Sequence, residues 1–176
     1  MAMLRDKAEL YIAASEIEKL CSQLALQINH DYKEKELILI CVLKGSVLFT
    51  ADLVRKITIP VKIDFVRLSS YGHGTESTGN VQIIKDVSFD LRDKHVLVIE
   101  DILDTGTTLD FFKKHLQASK PASLKIATLL DKPSRRKKAI EADYCGKKIE
   151  DHFVVGYGLD LGEKCRNYGD IWYFKN

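Results

Sequence analysis

The sequence predicts an α/β domain whose central sheet is parallel. Three observations predict it. Strand-like runs recur at Leu37–Leu43, 96–99 and 125–130, the first two continuously apolar, and a strand apolar on both sides is one buried on both sides. Helix-compatible stretches follow these runs, giving the strand–helix alternation of a layered domain. Polar residues stand where the runs end: Lys44 and Gly45 after the first, Glu100 and Asp101 after the second, Lys132 after the third. In parallel sheets, ligands bind outside the carboxyl ends of the strands.

The elements follow in chain order. Residues 15–28 carry Ile17, Leu20, Leu24 and Ile28, the spacing of an amphipathic helix. Leu37–Leu43 is the first buried strand, and 46–57 reads as the next helix with Ser46 as its N-cap. Residues 61–68 form a second strand. Residues 69–79 hold three glycines and several hydroxyls, the composition of a mobile loop. Residues 81–87 read as the return strand of a long hairpin. Strand 96–99, helix 109–118, strand 125–130 and a basic helical stretch at 134–142 complete the alternation. From Tyr144 on, short apolar pieces at 153–157 and Ile171–Phe174 surround a polar turn.

With 176 residues, one domain is expected, and 45% hydrophobic residues suffice for a full core. The 27 basic and 25 acidic residues leave a net charge of +2, too balanced to demand nucleic acid or an anionic membrane. No apolar run reaches the roughly 18 residues of a membrane helix, and the first ten residues have no signal-peptide core. Cys21, Cys41, Cys145 and Cys165 lack C-x-x-C spacing, so reduced thiols and a cytoplasmic setting are expected. The five histidines share no ligand spacing and read as unpaired structural or surface residues, and Trp172 as packing. Neither G-x-G-x-x-G nor G-x-x-x-x-G-K-[ST] occurs, which excludes the usual dinucleotide and P-loop sites.

The most informative segment is 96–110, V-L-V-I-E-D-I-L-D-T-G-T-T-L-D. After the apolar run come Glu100 and Asp101, then a turn of Asp104, Thr105, Gly106, Thr107 and Thr108, then a helix pattern. Hydroxyls and a glycine at a strand-to-helix turn make a phosphate cradle. Carboxylates repel phosphate, so the adjacent acids must serve sugar hydroxyls, a bridging cation or a proton transfer. Together they point to a phosphorylated sugar.

These residues resemble the phosphoribosyl-pyrophosphate signature of type I phosphoribosyltransferases. The wider set is similar to the hypoxanthine-guanine branch: L-K-G at 43–45, R-L-S-S-Y-G at 67–72, L-L-D-K-P-S-R-R at 129–136, F-V-V-G-Y-G-L-D at 153–160, and Arg166. The matches run in order over roughly residues 10–174. The resemblance implies a parallel core sheet flanked by helices, with a small hood from about 1–15 and 144–176 and a flexible active-site loop at about 69–80. It implies purine salvage: magnesium-dependent transfer of the 5-phosphoribosyl group from phosphoribosyl pyrophosphate to hypoxanthine or guanine. The products are IMP or GMP and pyrophosphate. A homodimer or homotetramer is expected.

The resemblance also implies a role for each of these residues. The turn 104–108 holds the 5'-phosphate, although helix capping alone would also suit its threonines. Glu100 and Asp101 face the ribose hydroxyls, directly or through magnesium, where an ordinary salt bridge is the alternative. Asp104 is the catalytic general base near N7 of the purine. Lys44 and Arg166 sit against pyrophosphate, and Gly45 permits a backbone closed to other residues. The resemblance implies a non-proline cis peptide between Leu43 and Lys44. Lys132 donates to O6 and so selects a 6-oxo over a 6-amino purine. Phe153 stacks on the base, with a plain core aromatic as the alternative. The backbones of Val154 and Asp160 meet the base edge, and Asp160 holds a second magnesium. Ser70 and Tyr71 close over the site as a lid, since a cation-like ribose must be kept from water. The basic run from Arg135 to Lys138 reads as a solvated helix face, or else a subunit contact.

The chain departs from the family after Asp160. Leu161 replaces a frequent aromatic, and Gly162 and Cys165 stand where bulkier residues are common. This touches guanine and xanthine more than hypoxanthine. Two rivals are a nucleotide-sensing RNA-binding regulator on the same fold, and a transferase for a pyrimidine or adenine.

Overall fold

The computed structural model describes residues 8–71 and 80–174. Its elements are β1 (Ala8–Ile12), α1 (Ala14–Asp31), β2 (Leu37–Leu43), α2 (Val47–Val54), β3 (Val61–Tyr71) and β4 (Asn80–Lys85). They continue with β5 (His95–Leu103), α3 (Thr107–Gln117), β6 (Ser123–Asp131), β7 (Tyr144–Lys148), β8 (Val154–Val155) and β9 (Ile171–Phe174).

Six strands form the core sheet in the order β4-β3-β2-β5-β6-β7. Five of them run parallel, and β4 closes one edge antiparallel to β3. From β2 the chain goes to β3 on one side and later to β5 on the other. The carboxyl ends of β2 and β5 therefore flank a topological switch point, where open α/β sheets bind ligands. Alternation along the buried strands splits the core. Leu37 and Leu39 of β2 pack with Leu97 and Ile99 of β5 on the face covered by α1 and α2. Ile38 and Ile40 pack with Val96 and Val98 on the face covered by Leu109, Phe112 and Leu116 of α3. Each such fully buried side chain contributes roughly 1.5–3 kcal/mol. A second, three-stranded sheet, β1-β9-β8, joins the two ends of the described chain.

Several expectations are corrected. β5 does not stop at Ile99 but runs through Glu100 and Asp101 to Leu103, because β6 pairs with it that far. Ser46 caps nothing: its hydroxyl donates to the Val42 carbonyl at 2.7 Å, and α2 has no side-chain cap. The stretch 134–142 is not a helix beyond one 3-10 turn at Pro133–Arg135. β3 continues to Tyr71, so residues 69–71, expected in a loop, are strand. β7 adds an edge strand to the core sheet inside the stretch expected to belong to the hood. The four described histidines are not unpaired, since His30, His95, His115 and His152 each have a polar partner, and His73 lies outside the described residues. Trp172 packs against the small cluster of Ala8 and Val155.

Candidate active site

Three connected groups build the site at the carboxyl edge of the sheet. The first surrounds Gly45. The Leu43–Lys44 peptide is cis. A Cβ on Gly45 would lie 1.8 Å from Asp101 Oδ2, so a larger residue there would displace the Asp101 carboxylate. Gly158, at φ +97°, packs onto the Gly45 carbonyl, where a Cβ would come within 2.0 Å. β2, β5 and the 156–160 segment thus meet at one small residue.

Glu100 and Asp101 lack compensation. Neither ion-pairs with Lys or Arg among the described residues, and Glu100 Oε2 is buried with no hydrogen-bond partner. Burial, then the neighbouring Asp101 carboxylate, holds the Glu100 carboxyl well above the ordinary range. Burial also raises Asp101, against its hydrogen bonds, which include one from Ile102 N at 2.8 Å. Buried carboxylates without cations fit a divalent ion. Among the described residues no three metal-ligating side chains converge. Two carboxylates completed by substrate oxygens is how magnesium is usually bound.

The second group is the turn after β5. Gly106 adopts φ +78° at the N-cap of α3, and a Cβ there would lie 2.5 Å from Ile140. Thr107 N donates to Thr105 Oγ1 at 3.3 Å. Lys137 N donates to the Thr105 carbonyl at 2.9 Å, which ties the turn to the segment after β6. Arg136 corrects the reading of a solvated basic face. Its guanidinium donates to the carbonyls of Leu103 and Asp104 and to Asp131. It therefore fixes where the turn begins.

The third group is a chain of alternating charges. Lys132 is 7% exposed after β6, and its N–H donates to the Leu103 carbonyl at 2.9 Å. Its ammonium lies 4.0 Å from Asp151, Asp151 lies 3.5 Å from Arg135, and Arg135 Nε lies 3.4 Å from Asp104 Oδ1. That Asp104 oxygen is buried and accepts no hydrogen bond. Burial lowers the Lys132 pKa, while Asp104 and Asp151 oppose the shift.

Lys44 and Arg166 come together across Glu163. Lys44 Nζ donates to Glu163 Oε2 at 2.7 Å, and Arg166 lies 3.4 Å from Glu163 Oε1 and 2.8 Å from Asp160 Oδ1. Asp160 Oδ2 also accepts from Glu163 N at 2.8 Å, so both its oxygens are engaged. Phe153 is 53% exposed beside Phe174 and is no core aromatic. Val154 lies in β8 opposite Tyr173. Ser70 and Tyr71 end β3 opposite Val81 and Asn80. Residues 72–79 of the expected lid lie outside the described residues. Sequence reasoning missed Arg135, Arg136, Asp151, Gly158 and Glu163. Only Gly158, in G-Y-G, carried a local signal.

A phosphoribosyl transferase domain model matches residues 9–161. The chain belongs to the phosphoribosyltransferase family. Among curated phosphoribosyltransferases, it is 52% identical over 165 residues to the hypoxanthine-guanine phosphoribosyltransferase of Staphylococcus epidermidis, covering 94% of this chain and 92% of that one. The Staphylococcus aureus protein of that name matches equally well over the same span. Among solved structures, a hypoxanthine phosphoribosyltransferase from S. aureus superposes with a TM-score of 0.95 at 50% identity, over 99% of this chain and 95% of that one. A hypoxanthine-guanine phosphoribosyltransferase from Bacillus anthracis gives 0.91 at 46% identity, over 96% and 99%.

Proposed function

We propose that this phosphoribosyltransferase performs purine salvage. It transfers the 5-phosphoribosyl group of phosphoribosyl pyrophosphate to hypoxanthine and to guanine, releasing pyrophosphate and forming IMP or GMP. The observation that carries the substrate class is Lys132, a buried cation tied to the end of β5 and linked to Asp104 through Asp151 and Arg135. Such a donor favours a 6-oxo group and meets adenine donor to donor.

In the reaction, the bond from the ribose C1' to pyrophosphate breaks and its electron pair leaves with the diphosphate. A purine nitrogen forms the new bond to C1'. The turn of Asp104, Thr105, Gly106, Thr107 and Thr108 holds the 5'-phosphate at the N-terminus of α3. Asp104 takes the proton from N7, and its charge stabilises the cation-like ribose. Lys44, Gly45 and Arg166 bind the leaving diphosphate. Phe153 stacks on the base, with Val154 and Asp160 at its edge and Ser70 and Tyr71 closing over it. Glu100 and Asp101 hold a magnesium ion, and Asp160 a second one; the ions would neutralise the diphosphate. No helix of the described residues is long and apolar enough to cross a membrane. A cytoplasmic homodimer or homotetramer is the setting we assign.

The test is nucleotide formation with Mg2+, phosphoribosyl pyrophosphate and each of hypoxanthine, guanine, xanthine and adenine. Hypoxanthine and guanine are expected to react and adenine to be inert. Asp104→Asn is expected to lower kcat by roughly 10²–10⁴. No turnover of any purine by folded protein would overturn the enzymatic role.

A further inference from the structure

Glu163 has no role in the chemistry above, yet it is the anion that both diphosphate-binding cations grip. Its two oxygens are divided between them, Oε2 to Lys44 at 2.7 Å and Oε1 to Arg166 at 3.4 Å. Lys44 holds the Glu163 carboxyl below its ordinary range, as a tight ion pair should. The side chain is 65% exposed, so it can swing away without opening the core.

Its backbone is equally unusual. Leu161 and Lys164 exchange hydrogen bonds of 3.1 and 3.2 Å across Gly162 and Glu163. The two central residues have φ of +56° and +69°. That is a two-residue hairpin turn with positive φ at both centres, where Asn-Gly and Gly-Gly are favoured. A glutamate in the left-handed region is strained, because its Cβ crowds the backbone there. The turn is further pinned by Glu163 N donating to Asp160 at 2.8 Å, and Asp160 in turn holds Arg166 at 2.8 Å. A strained backbone thus delivers one carboxylate to the point where Lys44 and Arg166 converge.

We infer that Glu163 is an internal stand-in for pyrophosphate, a positioning residue that the diphosphate must displace from Lys44 and Arg166. This role rests on the assignment of those two cations to the leaving group. Before substrate binds, Glu163 keeps both cations oriented and prevents their mutual repulsion. When diphosphate arrives, the carboxylate yields. When the reaction ends, it competes for the same cations and speeds release of the product. Glu163 therefore sets the affinity for every diphosphate-bearing ligand of the site, and does so in the weakening direction.

Calorimetric titration of pyrophosphate with Mg2+ into wild type, Glu163→Gln, Glu163→Asp and Lys44→Ala tests this. The amide of Glu163→Gln keeps the shape and removes the competing charge. Its Kd is expected to fall about threefold to tenfold, the range for losing exposed ion pairs. Its KM for phosphoribosyl pyrophosphate should fall with it, while kcat falls through slower release. Glu163→Asp, still anionic, should stay near wild type. A merely structural glutamate would give equal or weaker binding when replaced. Weaker binding by Lys44→Ala with unchanged Kd in Glu163→Gln overturns the competition alone. An unchanged Kd in Lys44→Ala overturns the diphosphate assignment and the competition with it.

Discussion

Gly45 packs against Asp101 and under Gly158, so two acidic pairs stand close to it in opposite surroundings. Glu100 and Asp101 lie in β5, largely out of water, and form no ion pair among the described residues. Asp160 and Glu163 lie near the surface with Lys44 and Arg166 both spent on them. The first pair lacks a cation; the second is matched by two. Burial explains the difference in cost. Two like charges in a low-dielectric setting raise their own pKa values until a positive partner arrives. Exposed pairs are screened and exchange partners cheaply. The same residue type thus leaves one side of the site without a positive charge and the other already holding two.

The harshest way to break this comparison is Gly45→Ala. Its Cβ would meet Asp101 Oδ2 at 1.8 Å, so β2 and β5 must separate or Asp101 must turn away. Overpacking of this kind costs roughly 1–3 kcal/mol, and kcat/KM should fall more than tenfold through the displaced carboxylate. Denaturant unfolding and steady-state kinetics read the two effects, and wild-type values in both would remove Gly45 from the centre of the site.

Glu100→Gln sharpens the comparison on the metal side. The folded carboxyl of Glu100 keeps its proton to higher pH than the unfolded one. Its contribution is therefore fully present below the unfolded pKa of roughly 4.3, and it is lost as pH rises through the raised folded value. Without Mg2+, Glu100→Gln should be about 1–2 kcal/mol more stable than wild type at pH 7, and its Tm should vary less between pH 5 and 8. Added Mg2+ should raise the wild-type Tm more than the variant's. Parallel melting curves at every pH would show that the Glu100 carboxyl titrates alike in the folded and unfolded chain.

The smallest effect is expected on the exposed side. Glu163→Gln should alter unfolding stability by less than about 0.5 kcal/mol, even as it changes ligand affinity. A larger loss in a urea titration would mean that the Glu163 turn supports the fold itself.

The parallel sheet was legible because its strands are apolar on both faces, and Leu37–Leu43 has the bounds its sequence suggests. The acids and the glycine turn were legible because they are adjacent in sequence. What escaped depends on distant partners. Arg136 reads as a surface charge until Leu103 and Asp104, more than thirty residues away, turn their carbonyls toward it. Tyr144–Lys148 reads Y-C-G-K-K, a weak strand on its own, and it forms along β6. Ala8–Ile12 likewise exists only beside Ile171–Phe174. Arg135 and Asp151 are sixteen residues apart and meet only in the fold.

β9 is the middle strand of the small sheet, with β1 on one side and β8 on the other. Translation delivers it after every other element described. Every strand of the six-stranded sheet and the 104–108 turn precede 171–174 in the chain. Until 171–174 are made, neither β1 nor β8 has its partner strand, and Phe153 lacks the Phe174 ring beside it. The small sheet is thus the last part of the described fold that synthesis can complete.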